Sequence, residues 1–180
     1  MKKTLLFLSL MLSMEFTIAQ EKTEYQKQIS NIEKFISEPN IIIKQEYNEI
    51  GEVDNIHYQI NKVVDLITNK SLTGLRIEGY NQTNMARANP VCFLDKDEVA
   101  AFEKYLEYIT ANVIGKNLPI NGISYFYSAR GGFRSGIFMH DGNLLSYINF
   151  GDYIEANNFN IKILDLPKIK EVIAKVLTQL

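Results

Sequence analysis

The sequence predicts an α+β fold: an N-terminal helix, then two antiparallel units, each of four strands closed by a helix. Three observations carry this. Apolar residues recur at helical spacing in three segments and alternate in the segments between them. A short apolar run, an Asp and an amphipathic segment follow one another twice, at Leu94-Asp95 and at Leu164-Asp165. The dipeptides Gly131-Gly132 and Asp141-Gly142 divide alternating runs in the way tight hairpin turns do. The two units are placed at 41–115 and 121–180, inside one domain of residues 20–180, a length suited to a single core.

Residues 1–19 read as an export signal. Lys2 and Lys3 form a basic start, Leu5 to Met14 an apolar run, and Thr17 and Ala19 the small residues of a cleavage site. The apolar run is shorter than the roughly 20 residues a bilayer needs. Glu15 at its end is the one feature that suits a retained anchor helix. The expectation is cleavage after Ala19 and export to the periplasm or outside, with no membrane attachment afterwards. Cys92 is the only cysteine, so no internal disulfide can form. It lies in the apolar run Val91 to Leu94, which predicts a buried, inert thiol.

The elements follow in order. Tyr25, Ile29, Ile32 and Ile36 define a helix over 23–37, ended by Glu38-Pro39-Asn40. Residues 41–47 form a strand, and 48–55 a turn region around Gly51. In 56–66, Ile56, Tyr58, Ile60, Val64 and Leu66 share a face, with Lys62 as the exception. Residues 72–80 and 91–94 are strands separated by a polar loop at 81–90. The second unit has strands at 123–129, 133–140, 143–150 and 161–164, a polar loop at 151–160, and a last helix from Leu166 to Leu180. An offset of 70 aligns Leu94 with Leu164, Asp95 with Asp165, Val99 with Ile169 and Phe102 with Val172. Internal duplication and convergence on one strand–cap–helix pattern both explain it, because the self-similarity fades in the strands.

Asp95, Asp97 and Glu98 raise the question of a metal site. An EF-hand loop beginning at Asp95 needs Gly in sixth place and Glu in twelfth, where this chain has Ala100 and Leu106. A helix start explains the cluster better. Asp95 stands before the amphipathic run Val99, Phe102, Leu106, Ile109 and Val113, with Glu98 three residues on as in a capping box. Asp165 precedes the last helix in the same way, with Pro167 in its first turn. No metal and no cofactor is expected.

The pattern "LDKDE" between a strand and a helix, with "GLRIEGY" upstream and "ARGGF" downstream, resembles a group of small exported bacterial proteins of unknown function. That resemblance implies no activity. Separately, two units of four strands and a helix are similar in topology to the Whirly-type single-strand DNA-binding fold. This is an analogy of fold, which does not by itself imply function.

Charge and motifs narrow the function. The whole chain has a formal net charge of −2. Without residues 1–19, 17 of the 19 basic and 20 of the 21 acidic residues remain, net −3. That balance argues against nucleic-acid or polyanion binding, although the Whirly-like topology keeps it as an alternative. His57 and His140 are far apart, and Ser124, Ser128 and Ser135 lie in strands rather than on a nucleophile elbow. No catalytic residue is assigned, and a small hydrolase-like enzyme stays an alternative. The leading expectation is a non-enzymatic domain that binds a protein or small molecule. Two-residue turns at both glycine dipeptides would set Tyr127 opposite Gly136 and Gly136 opposite Tyr147. They would also set Tyr125 opposite Phe138, with Arg134 and His140 on the same face. Tyr125, Tyr127, Arg134, Phe138, His140 and Tyr147 are therefore the candidate ligand surface. The competing reading packs these tyrosines under a helix, and the frequency of aromatic cross-strand pairs in sheets favours it.

Overall fold

The computed structural model describes residues 28–80, 89–119, 122–151 and 158–180. The expected signal segment and the start of the expected first helix lie outside them. Helix α1 spans Asn31–Ile36 and starts later than the spacing predicts. Ser30 is the reason. Its backbone is extended, its hydroxyl accepts from Glu33 N, and the Glu33 carboxylate accepts in return from Ser30 N at 2.8 Å. This capping box fixes the first turn at Asn31.

The first sheet is an antiparallel meander of β1 (Ile43–Val53), β2 (Ile56–Asp65), β3 (Ser71–Gly79) and β4 (Val91–Leu94). Helix α2 (Lys96–Asn112) follows. The second is a meander of β5 (Ser124–Ser128), β6 (Phe133–His140), β7 (Asn143–Phe150) and β8 (Asn158–Ile161), followed by α3 (Leu166–Leu177). The α+β class and both four-strand units are thus as the sequence predicts. The bounds differ most in two places. β1 runs through the expected turn region, absorbing it as a bulge between Glu49 and Gly51. The reversal falls on Asp54-Asn55, both with positive φ, which is the backbone of a type I′ hairpin. β8 covers 158–161 rather than 161–164, because Lys162 N donates to Asp54 Oδ2 and a 3-10 turn begins at Ile163.

One core joins the two units. α2 and α3 lie against each other. α3, although it closes the second unit, packs on β1 and β2 of the first. A Cβ on Gly51 would come within 2.9 Å of Val172 Cγ2, so the bulge glycine is what lets α3 approach. α2 touches β3, β4 and β5. Tyr58, Phe102 and Phe133 are fully buried in the middle of this core. The end of β3 meets the other sheet, where a Cβ on Gly79 would lie 2.5 Å from the Phe159 ring.

The first sheet is covered on both sides. Ile32 and Phe35 of α1 bury Val63 on its outer face. The expected single apolar face of β2 therefore ends at Ile60. Beyond it Val63 is buried under α1, and Leu66 is half exposed. Cys92 is 3% exposed, and burial pushes its thiol well above the ordinary range, in line with an inert core residue.

The β2–β3 turn hangs on Asp65. Its carboxylate accepts from Thr68 Oγ1 at 2.5 Å and Ile67 N at 2.9 Å, and its carbonyl accepts from Asn69 N. The Thr68 hydroxyl and then the Ile67 amide hold this carboxyl below its usual value of 3.8. A depressed carboxylate stabilises the fold above its unfolded pKa and ceases to do so as pH falls through the folded one. Asp65→Asn should therefore melt earlier than the parent at pH 7, and the two melting curves should converge near pH 2. Equal melting temperatures at neutral pH would remove Asp65 from this role.

Candidate functional site

The geometry of the second sheet begins with the acidic cluster. Asp95, Asp97 and Glu98 bring oxygens within 4.8 Å of one another, the spacing of a cation site. The cation among them is the Arg130 guanidinium. Its Nη2 donates to Asp97 Oδ1 at 2.7 Å and Asp95 Oδ2 at 3.0 Å. Its Nε lies 3.0 Å from Glu98 Oε1 in a charge contact, while Arg130 N takes the hydrogen bond to that oxygen at 2.7 Å. Glu98 first, then Asp97, raises the pKa of the guanidinium further.

The cluster is also architecture, as the sequence suggests, but its bonds are divided between two helices. Glu98 Oε2 accepts from Asp95 N at 2.9 Å, which is one half of the capping box of α2. The Asp95 carboxylate accepts from Asn31 N at 2.7 Å and Ile32 N at 3.3 Å, so it also caps α1. Gly131 N donates to Gln28 O at 2.6 Å. The N-terminus of α1, that of α2 and the β5–β6 turn are therefore joined at one point.

That junction decides the register of β5. Arg130 to Gly132 form a 3-10 turn in which both glycines have positive φ. Ala129 N donates to Phe133 O, and the last ladder pair is Ser128 with Arg134. A two-residue loop would have paired Arg130 with Phe133, but Arg130 is drawn out of the ladder to the carboxylates. β5 is consequently one residue out of the expected register. Tyr127 faces Ser135 and Tyr125 faces Ile137, while Phe126 faces Gly136. A shift of one residue exchanges the two faces of a strand.

Tyr125 and Tyr127 thus belong to the inner face, not to the candidate surface. Tyr127 Oη donates to Glu98 O at 2.8 Å, and its ring stacks 5.3 Å from Phe102. Burial, then the nearby Glu98, raises its pKa. Tyr125 lies by Tyr108, and its carbonyl accepts from Tyr105 Oη at 3.4 Å. The reading that packs these two rings under a helix is the one the structure supports.

The second hairpin has the expected two-residue loop, with His140 opposite Asn143, Phe138 opposite Leu145, Gly136 opposite Tyr147 and Arg134 opposite Asn149. Arg134, Phe138, His140 and Tyr147 therefore share the outer face as predicted. Phe126, missed at the sequence level, replaces the two tyrosines there. It is 60% exposed, and Leu145 beside Phe138 is 41% exposed. The Arg134 guanidinium lies 5.3 Å from the Phe126 ring centre, and its Nε donates to Ser128 Oγ at 3.1 Å. Tyr147 lies flat across Gly136, where a Cβ would stand 2.4 Å from its ring, and its centroid is 6.1 Å from that of Phe138. His140 is at the rim next to Asp141.

A second polar surface went unread in the sequence. On the outer face of the first sheet, Arg76 Nη1 donates to Gln59 Oε1 and Glu78 Oε2, both at 2.6 Å, beneath the Tyr47 ring. His57 stands 3.5 Å from both Glu49 and Glu52 and against the Tyr80 ring. The alternation of His57-Gln59 and of Arg76-Glu78 is the signal that places them together. No known protein-family model matches the chain, and no curated protein matches it.

Two outcomes follow. Asp95→Ala removes an acceptor from two amides of the first turn of α1 and from Arg130, so it should cost about 2–3 kcal/mol in a denaturant titration, above an ordinary cap. Calcium or zinc should leave the parent's melting temperature unchanged; a metal-dependent rise that the mutant lacks would restore the cation-site reading. Gly136→Ala should lift the Tyr147 ring off the sheet and cost about 1–2 kcal/mol, an overpacking penalty. Its crystal structure would show whether the ring has moved.

Proposed function

We propose that the protein is an exported, non-enzymatic binding domain whose partner surface is the outer face of the second sheet. One observation carries this reading: Phe126, Phe138, Leu145 and Tyr147 form an aromatic and apolar patch on one sheet face, with Phe126 60% and Leu145 41% exposed among the described residues. Isolated exposed apolar residues are ordinary, whereas contiguous ones mark interaction sites. The patch is also held in shape. Tyr147 is seated on Gly136, and Arg134 is tied to Ser128 over the Phe126 ring. Little side-chain freedom is lost when such a surface is covered, which favours affinity. Arg134 at one end and His140 at the other supply the polar rim.

The repeated order of four strands, an Asp and a helix, with Asp95 before α2 and Asp165 before α3, supports descent of the two units from one ancestor. Asp165, expected to cap α3 as Asp95 precedes α2, instead lies in a 3-10 turn, and its carboxylate accepts from Lys168 Nζ. It also keeps the Whirly-type analogy in view, and rings beside an arginine are what single-stranded nucleic acid stacks on. The charge balance points the other way.

Binding assays separate these readings. A partner isolated on immobilised mature protein should be retained by a Leu164→Ser chain, since Leu164 is exposed but lies on the 3-10 turn before α3. It should be lost from Phe126→Ser/Leu145→Ser. Retention by the double mutant, or equal loss from both chains, would rule this face out. A thymidine oligonucleotide should bind weakly at physiological salt. Tight binding abolished in Tyr147→Ser would favour the nucleic-acid alternative. Turnover in a broad hydrolase screen that survives repurification and vanishes in His140→Ala would favour an enzyme.

A further inference from the structure

The first sheet ends in an edge that matches itself. β1 is its outermost strand and, at 11 residues, the longest in the described chain. Among the described residues no strand pairs with its outer side. Such an edge presents a row of backbone donors and acceptors to any strand that can align with it. Tyr47 on the strand is 53% exposed, and Ile42 just before it is 60% exposed. The regular stretch is bounded. The Glu49/Gly51 bulge interrupts it on one side, where α3 and the turn after it also lie close, through Val172 at Gly51 and Gln179 at Asn48.

We infer that residues 42–48 pair antiparallel with the same segment of a second copy, centred on Gln45, joining two first sheets into one. The argument is register. A two-fold axis perpendicular to the sheet sets residues of the same face opposite each other, so the axis passes midway between one residue and its own copy. Centring on Lys44 opposes Lys44 to itself, and centring on Glu46 opposes Glu46 to itself. Like charges directly opposite are destabilising. Centring on Gln45 sets Lys44 opposite the partner's Glu46, and Glu46 opposite the partner's Lys44. On the other face it sets Ile43 opposite the partner's Tyr47, twice over by symmetry. Lys44 Nζ and Glu46 Oε1 already lie 2.5 Å apart within the strand, so the two heads occupy one region of that face. A lysine on an edge ordinarily discourages pairing. Here it discourages foreign strands and slipped registers, because this centring alone among the three gives it an acid.

Charge reversal tests the register. Sedimentation velocity of the mature chain over a concentration series should show a monomer–dimer equilibrium. Lys44→Glu and Glu46→Lys should each weaken it about ten-fold or more, since each creates two like-charge pairs across the axis. The double exchange Lys44→Glu/Glu46→Lys should return the dissociation constant to the parent's. Circular dichroism of all three mutants verifies that they are folded. Phe126→Ser should leave the dimer intact, which keeps this surface distinct from the second-sheet face. If the single mutants do not fold, concentration-dependent protection of the β1 amides in the parent decides. A parent that is monomeric throughout, single reversals without effect, a double exchange that fails to restore pairing, or a dimer lost in Phe126→Ser would each overturn the inference.

Discussion

Arg130 is the residue on which the arrangement of the second sheet depends. A half-buried guanidinium beside three carboxylates settles where it can bond most of them at once. It reaches Asp95 and Asp97, and its own backbone N–H reaches Glu98. To do so it leaves the β5–β6 ladder. That departure costs one position of register and turns every β5 side chain over. Tyr127 becomes a core residue hydrogen-bonded to Glu98 O, and Phe126 becomes a surface residue. An electrostatic contact at one end of a five-residue strand thereby chooses which rings meet the solvent.

The same contact explains what the sequence shows and what it hides. The order of the described helices and strands was legible, since helical spacing, alternation and capping residues are local properties. β6 and β7 were placed to the residue, because Asp141-Gly142 encodes a turn that needs no outside partner. Gly131-Gly132 is an equally strong local signal, but the residue before it has partners more than thirty positions away. Nothing in "ARGGF" declares them. The candidate face was accordingly read correctly for Arg134, Phe138, His140 and Tyr147 and inverted for Tyr125 and Tyr127. The Gly51 bulge was hidden for a similar reason. A glycine in an alternating run looks like a turn until Val172 is known to rest on it.

The two sheets treat their outer surfaces differently. The first spends part of its outer face on α1 and fills the rest with a bonded array of Arg76, Gln59, Glu78, His57 and Glu49, in which most polar groups already have partners. The second leaves the Phe126 ring and Leu145 in the open, with Phe138 and Tyr147 half-buried beside them. Desolvating the first would break charge-assisted bonds, whereas desolvating the second releases water from apolar surface. This contrast, more than any one residue, is why the second sheet is the better binding face.

The position of α3 has a consequence in time. The helix that closes the apolar face of the first sheet, Leu166–Leu177, follows the whole second sheet in the chain and packs on strands made more than a hundred residues earlier. During synthesis β1 and β2 can form their hairpin, but their inner face lacks this cover until α3 has left the ribosome. Domains ordinarily fold as units once complete. This one keeps the inner face of its first hairpin without the cover of α3 until Leu166–Leu177 has been made, so β1 and β2 wait for an element more than a hundred residues away.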